Sequence, residues 1–155
     1  MTSVPTDFVH LRVHSEYSLA DSVIRLHPKK KEKMLPLLAR ARELNLPALA
    51  VTDLNNMFGL IKFYKAALAA GIKPLTGADI RVVDESSRAP GSLVLLARNA
   101  DGDRNLKCLI TRAYVEGQMN GVPLVQQDWL TPASTGGLLA LSGGMQGALG
   151  QLLLE

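Results

Sequence analysis

Two histidines, an arginine and two acids stand close together in HLRVHSEYSLAD, the stretch from His10 to Asp21. Imidazole and carboxylate are groups that zinc, manganese and iron accept as ligands. Several such ions held close together could activate water against a phosphate ester. Arg12 argues against this chemistry, because a guanidinium keeps its proton and repels a metal ion. From these residues alone, a working metal site and the remains of one both stay open.

Two further acids follow apolar runs at distant points of the chain. Asp53 ends the run ALAVTD, and Asp79 follows a glycine in KPLTGADIRVVD. Buried strands that alternate with helices predict a parallel sheet, open or closed into a barrel. Sites in such folds gather beyond the carboxyl ends of the strands. We therefore expect His14, Asp53 and Ser142 to lie at strand ends, with distant polar groups converging on one face.

The same residues also have a purely structural interpretation. Asp53, in TDLNN, could cap the next helix, Asp21 could start a turn, and His10 could be satisfied within its strand. Arg12 could pair with Asp53 or Asp79 and fill the space of a lost ion. Each of these roles requires no bound metal.

The hydrophobic periodicity predicts the elements that would position these residues. The predicted order is β-α-β-α-β-β-α-β-α. The segments are a strand over 8–13, a helix from Pro36, a buried strand over 48–53, a helix over 59–70 capped by left-handed Gly71, one or two strands in 73–84, a strand over 92–97, a helix capped by Asp101, a strand within 137–144 and a final helix from Gln146.

The composition is typical of one domain with an aliphatic core. The chain has 155 residues, of which 47% are hydrophobic and 5% aromatic. Its 17 Lys and Arg against 14 Asp and Glu give a charge of +3, too weak by itself to indicate nucleic-acid binding.

The single cysteine, Cys108, excludes an internal disulfide and a cysteine-based zinc framework, and it fits a reducing cytoplasm. No signal peptide or membrane span is predicted. We expect the lysine-rich run Lys29–Lys33 to be a solvated loop, with phosphate contact as the alternative.

Five blocks of sequence, taken in order, resemble the N-terminal PHP (polymerase and histidinol phosphatase) domain of the alpha subunit of bacterial DNA polymerase III. The blocks are FVHLRVHSEYSLAD, PALAVTDLNNMFGLIKFY, AGIKPLTGADI, LVLLARNADGDRNL and LLALSGG. The resemblance implies an α/β fold, the first part of a PHP-type (β/α)7 distorted TIM-like barrel with mainly parallel strands. Residues 1–155 would then be the N-terminal portion of one PHP domain, without the rest of the barrel or the polymerase palm, fingers and C-terminal domains.

Four positions of the family's metal-site motifs keep an acid or a histidine in this chain. His14 is the second histidine of the His-x-His motif, and Asp21 is the acid that follows it. Asp53 is the acid of the Thr-Asp-His motif. Asp79 stands in place of the family's glutamate and is one methylene shorter. The resemblance therefore implies that part of the ligand set is present.

Four other positions of the same motifs carry residues that cannot serve as ligands or serve poorly. Arg12 replaces the first histidine of His-x-His, and Leu54 replaces the histidine of Thr-Asp-His. Ser92 stands where a histidine is expected, and Gly144 where a cysteine is expected. The resemblance thus implies a vestigial site, with no metal ion expected and no catalytic residue in this segment.

The role implied by the resemblance is that of a scaffold and docking site for a separate proofreading exonuclease subunit, with no cofactor of its own. The full-length parent would be a cytoplasmic DNA-directed DNA polymerase of replication. It would use Mg²⁺ at its polymerase site and contact DNA and other replicase subunits, but no membrane. One alternative is an active metal-dependent PHP phosphoesterase or 3′-5′ exonuclease, which the four replaced positions argue against. Another is a small stand-alone α/β protein, which the five ordered blocks argue against.

Overall fold

The computed structural model describes residues 8–28, 34–84 and 89–154. The lysine-rich run that begins at Lys29 therefore lies outside the described residues. The helices are α1 (Pro36–Glu43), α2 (Leu60–Ala69), α3 (Ala100–Glu116), α4 (Pro132–Thr135) and α5 (Ala148–Leu154). The strands are β1 (Ala48–Val51), β2 (Lys73–Val83), β3 (Gly91–Ala97), β4 (Gln118–Met119), β5 (Val122–Pro123), β6 (Val125–Gln126) and β7 (Leu138–Leu141). Short 3₁₀ turns span Glu16–Asp21, Gln127–Trp129 and Gly144–Gln146.

The chain divides into two compact units. Unit 1 contains residues 1–53 and 57–76, and unit 2 contains residues 54–56 and 77–155. β2 contributes its first four residues to unit 1 and the rest to unit 2.

In unit 1, β1 pairs in parallel with the beginning of β2. The predicted first strand is reduced to an extended segment with one parallel bridge at His10. Two backbone hydrogen bonds hold this segment beside β1: Ala50 N–H donates to His10 O at 3.0 Å, and Thr52 N–H donates to Val13 O at 2.8 Å. These bonds bring the polar loop after Val13 to the carboxyl end of β1.

The helices of unit 1 cover a mainly aliphatic core. α1 begins at Pro36, as predicted, because a proline lacks only an N–H that the first helical turn leaves unpaired. α2 buries Phe63 and Ala67, and Gly71 follows it in the left-handed conformation, with φ 73°, which confirms the predicted cap. The buried core residues are Leu26, Leu35, Leu38, Ala41, Leu46, Leu49, Val51, Phe63, Ala67 and Ile72.

Unit 2 is built on a mixed sheet. β2 pairs in parallel with β6 and antiparallel with β3, and β3 pairs antiparallel with β7. The α/β class is confirmed, and parallel pairing is found at β1–β2 and β2–β6. β2 and β3 run antiparallel, and the connection from Val83 to Gly91 is shorter than the crossover of about a dozen residues that parallel neighbours require.

The long helix of unit 2, α3, begins two residues earlier than predicted. Asn99, in extended backbone conformation, caps it by accepting a hydrogen bond from Gly102 N–H at 2.9 Å. Asp101, the predicted cap, lies in the first turn instead, where its negative charge interacts favourably with the positive end of the helix dipole. Gly102 is required by packing, since a Cβ there would stand 2.0 Å from Gly137 O. Among residues 8–28, 34–84 and 89–154, no helix is long and apolar enough to cross a membrane.

Candidate functional site

A closed polar loop follows the first extended segment in unit 1. Ser15 caps its 3₁₀ turn by accepting from Tyr17 N–H at 3.3 Å. Glu16 N–H donates to Ile24 O at 2.7 Å, and Ser22 Oγ donates to the carbonyl oxygen of the residue before Ser15 at 2.7 Å. The start and the end of the loop are therefore fixed next to each other.

This closure brings together two of the predicted site residues. His14 Nδ1 and Asp21 Oδ2 are hydrogen-bonded to each other across the loop. The His14 side chain is 12% exposed and that of Asp21 is 55% exposed. The pair is consequently reachable from solvent, and it offers one imidazole and one carboxylate to an approaching ion.

Asp53 has a different environment, although it comes from the same predicted set. It is 2% exposed and follows the end of β1. Its Oδ1 accepts from Ser15 N–H at 2.6 Å and from Ser18 Oγ at 2.7 Å, and its Oδ2 accepts from Ser15 Oγ at 2.7 Å. These three donors satisfy the carboxylate from within the fold, so Asp53 neither caps the next helix nor faces an open site.

Arg12 is not the counter-charge of Asp53. It is exposed, and among the described residues the hydrogen bonds of Asp53 come from Ser15 and Ser18. The expectation of a buried Arg12–Asp53 pair is therefore wrong. The physical reason is that hydroxyl and amide donors stabilise a buried carboxylate without burying a second charge. Next to this group, Thr52 Oγ1 is buried and has no hydrogen-bond partner in the described structure.

His10, which the family motif does not use, also lies at the surface. It is exposed, and its ring packs edge-on against Phe8 with 4.8 Å between the ring centroids. The His10 ring thus packs against an aromatic neighbour, consistent with the structural interpretation of this histidine.

The remaining predicted positions belong to unit 2. Leu54, at the position of an expected histidine, forms a parallel bridge with Asp79 in β2. Asn55 fixes this contact: its N–H donates to Asp79 O at 2.8 Å, and its Oδ1 accepts from Arg81 N–H at 2.8 Å. Asn55 adopts φ 54°, a left-handed conformation that asparagine tolerates better than most residues. The apolar side chain of Leu54 brings no ligand to this turn.

Asp79 and Ser92 are brought together by the antiparallel pairing of β2 with β3. Asp79 is fully buried, and Ser92 Oγ donates to its Oδ1 at 2.5 Å. Ser142 follows the end of β7, as expected, and the glycine turn after it passes close to Ser92: a Cβ on Gly143 would stand 2.3 Å from Ser92 O. Gly144 is exposed, with φ 61° and open space around it.

A cavity of about 480 Å³ opens in unit 2 beside Ser92. Its described lining is largely apolar, with Ser142, Gln127 and Gln151 as neutral polar groups and Asp84 as an acid. A single carboxylate among neutral groups is a poor set of ligands for a metal ion.

The sequence reasoning missed a polar network around His27 in unit 1. His27 Nδ1 lies 2.8 Å from Glu16 Oε1, and Lys62 Nζ lies 2.8 Å from His27 Nε2 and 2.5 Å from Tyr17 Oη. The hydrogen bond from His27, followed by that from Leu26 N–H, holds the pKa of Glu16 below its ordinary value of 4.5. No spacing in the sequence links residue 62 to this loop, so only the fold could reveal the network.

Ser15 and Ser18 were missed as well, although a signal exists for them. The hydroxyls of S-E-Y-S directly follow His14, and their spacing of three places both on one side of a helical turn. A buried acid elsewhere in the chain would then have suitable donors.

The donors present do not fit a cluster of several metal ions. Within the described parts of the chain, no group of three or more His, Cys, Asp or Glu side chains is placed to hold a metal. Asp53 and Asp79 are engaged by serine hydroxyls, while Leu54 and Gly144 offer no side-chain ligand at all. Within the part of the chain that the structure describes, the arrangement positions hydrogen bonds and stabilises a loop.

Comparison with known proteins agrees with the family implied by the sequence blocks. The model of the PHP domain matches residues 10–155. The DNA polymerase III subunit alpha of Pseudomonas aeruginosa is 47% identical over 150 residues, which are 96% of this chain and 12% of that protein. The corresponding subunit of Escherichia coli K12 is 44% identical over 149 residues, again 96% of this chain and 12% of that protein.

A solved structure of an amidohydrolase from Chromobacterium violaceum, with bound sulfate and no metal, is also similar. It shows 21% sequence identity and a TM-score of 0.47, covering 68% of this chain and 32% of that chain. This chain spans about an eighth of the length of the polymerase subunits that it matches, 12% of each.

Proposed function

Since this chain belongs to the PHP domain family, as the match over residues 10–155 establishes, we propose that it is the N-terminal portion of the PHP domain of a replicative DNA polymerase III alpha subunit. In this role it is a metal-free scaffold and a docking site for the proofreading exonuclease subunit. The vestigial positions are Arg12, His14, Asp21, Asp53, Leu54, Asp79, Ser92 and Gly144.

One observation carries the scaffold role: serine hydroxyls occupy the buried carboxylates. Ser15 and Ser18 donate three hydrogen bonds to Asp53, and Ser92 donates one to Asp79. Each of these hydrogen bonds uses a lone pair of the carboxylate for which a metal ion would otherwise compete. The positions that a metal cluster would use are therefore committed to holding the loop and the sheet in place.

The names and identities of the relatives support the polymerase assignment. Two alpha subunits match almost the whole of this chain at 44% and 47% identity. The parent protein would be a cytoplasmic DNA-directed DNA polymerase that acts on DNA with other replicase subunits. Mg²⁺ would be bound at a polymerase site in the remaining part of the parent, and none of its ligands is assigned to this segment.

Binding of the exonuclease subunit without metal tests the docking role. The complete PHP domain, immobilised, should retain the purified exonuclease subunit equally well with and without a chelator, because no ion holds the surface together. The His14→Ala and Asp21→Ala variants serve as matched controls and should retain it like wild type. Failure of the domain to retain the exonuclease, under conditions where the full polymerase retains it, would reject docking.

An activity assay separates the scaffold from the alternative of an active phosphoesterase or exonuclease. With added manganese, the purified domain should hydrolyse a phosphate monoester and the 3′ end of single-stranded DNA at no more than the background rate. The control is the Asp53→Asn variant. Hydrolysis well above background that disappears in this variant would establish the alternative and overturn the scaffold role.

A further inference from the structure

The outer face of α2 carries an exposed apolar stripe. Ile61, Tyr64 and Leu68 are 63%, 42% and 56% exposed, and Lys65 is exposed among them. Their spacing of i, i+3, i+4 and i+7 places all four on one side of the helix. Phe63 and Ala67, on the opposite side, are buried in the core of unit 1. We call the four exposed residues the α2 stripe.

The exposed side of α3 provides a comparison, because it carries paired charges. Three ion pairs within α3 run along its exposed side. They join Asp101 to Arg104, Asp103 to Lys107 and Glu116 to Arg112. α3 thus balances its own charges, whereas the sequence of α2, LIKFYKAALA, contains no acid.

The cations of α2 are placed differently with respect to the stripe. Lys62 is held beside it by Tyr17 and His27. Lys65 lies in the stripe and makes no hydrogen bond or ion pair with a described residue, and the same holds for the hydroxyl of Tyr64. With respect to the described residues, the face therefore combines an apolar strip with one uncompensated positive charge and one hydroxyl that makes no hydrogen bond.

We propose that the α2 stripe is the surface on which the docking partner of this domain is bound, and that the partner presents an amphipathic helix with an acidic residue beside its apolar strip. The inference rests on the proposed docking function and locates its surface. Ile61 and Leu68 would contribute apolar area, and Lys65 would pair with the acid of the partner. Aromatic residues such as Tyr64 are enriched in the centres of such interfaces.

Charge selects this occupant over two others. A second copy of the chain would place Lys65 opposite or near its own equivalent, with no acid on either α2, and like charges in an interface are repulsive. An anionic membrane would gain only about 1 kcal/mol for each lysine near its surface, and α2 has two lysines and a narrow strip. An acidic amphipathic helix satisfies the strip, the lysine and the hydroxyl together.

Binding measurements on the full-length parent polymerase and the exonuclease subunit test the inference. The double variant Ile61→Glu, Leu68→Glu should raise the dissociation constant at least about tenfold, because it introduces repulsive, solvated charge into an apolar contact. Lys65→Glu should raise it by about three- to tenfold and weaken its dependence on salt. The matched control is Val115→Glu on α3, where the exposed fraction is 75%, and it should change binding by less than about twofold.

The outcomes separate this inference from the function on which it rests. If wild-type polymerase binds the exonuclease and all three variants bind equally well, the α2 stripe is not the docking surface, while docking itself stands. If the PHP domain of the wild type does not bind, the proposed function fails. Thermal unfolding of the double variant without partner should match wild type. A markedly lower melting temperature of the double variant would mean that the parent chain itself covers the α2 stripe. If the wild type binds anionic lipid vesicles and the double variant does not, the stripe is a membrane contact. Either result would overturn the inference.

Discussion

Asp21 and Asp53 belong to the same predicted set of vestigial motif positions, yet their environments in the fold are opposite. The Asp21 side chain is 55% exposed and meets His14 across a loop, while Asp53 is 2% exposed and accepts three hydrogen bonds from Ser15 and Ser18. Exposed ion pairs contribute little to stability, whereas a buried carboxylate and its donors depend on one another.

The difference teaches that an acid kept at a family's ligand position need not be kept for a ligand. Asp53 has become part of the internal hydrogen bonding of unit 1, and Asp79 shows a similar change in unit 2 through Ser92. Asp21 has kept an open position, where it forms a hydrogen bond with His14.

Removing each carboxylate in turn should give the largest contrast. Asp53→Ala leaves a buried N–H and two buried hydroxyls without their acceptor, so we expect a loss of about 3–5 kcal/mol in the free energy of unfolding. Asp21→Ala, the matched control, should cost less than about 1 kcal/mol. Urea unfolding of the purified domain measures both. Equal losses for the two variants would show that burial does not distinguish these acids.

Removing one donor at a time should sharpen the account of Asp53. Ser15→Ala and Ser18→Ala each delete one hydroxyl that donates to the carboxylate, and each should cost about 1.5–3 kcal/mol. Ser142→Ala removes an exposed hydroxyl and should change stability by less than about 0.5 kcal/mol. Ser15→Ala and Ser18→Ala behaving like Ser142→Ala would mean that water replaces the lost donors without cost.

Acid should weaken the loop through Glu16 by a smaller amount. The pKa of Glu16 is lowered in the folded protein, chiefly by the hydrogen bond from His27, so its contribution is fully present above its ordinary value of 4.5 and is lost as the pH falls through the lowered value. Because Glu16 is partly exposed, this contribution is below about 1 kcal/mol. Glu16→Gln should flatten the stability profile below about pH 5. Unfolding curves at several pH values, compared with wild type, measure the effect, and parallel profiles would exclude it.

Restoring one motif residue should have the smallest effect. Arg12→His rebuilds the first histidine of His-x-His, but Leu54, Ser92 and Gly144 still provide no suitable ligands. We expect neither wild type nor Arg12→His to hold stoichiometric zinc, manganese or iron after dialysis, and their stabilities should agree within about 1 kcal/mol, because Arg12 is exposed. Elemental analysis is the measurement. Two or more tightly bound ions per chain in the wild type would show that its ligand set is intact.

Local patterns predicted much of the secondary structure correctly. Pro36 begins α1, Gly71 ends α2 in the left-handed conformation, and the apolar run from Ala48 forms β1. These features depend on the backbone preferences of a few adjacent residues. The cap of α3 was predicted at Asp101, but Asn99 is the cap. Both residue types suit a cap position, and the choice between them depends on the backbone conformation at residue 99.

The candidate site was predictable as a set of positions but not as a set of environments. The motifs identified Asp53 and Asp79, but no pattern paired them with Ser15 and Ser92, which lie far away in the chain. Arg12 appeared suited to replace a lost ion, yet it is exposed. Burial and hydrogen-bond partners of a polar residue are set by segments that meet only after folding.

The sequence by itself determined the family, the α/β class and which motif positions carry a residue other than the expected ligand, because residue types and their order are sufficient for those conclusions. The side chain of a leucine at position 54 has no ligand atom in any conformation. The tertiary structure alone decided which acid became buried, which stayed open, and which helix presents an apolar face. The extended segment beside β1 carries Ser15 to Asp53, and the packing of Phe63 turns Ile61 and Leu68 outward. These outcomes depend on which distant segments pack against each other and on which hydrogen-bond donors then lie beside each carboxylate.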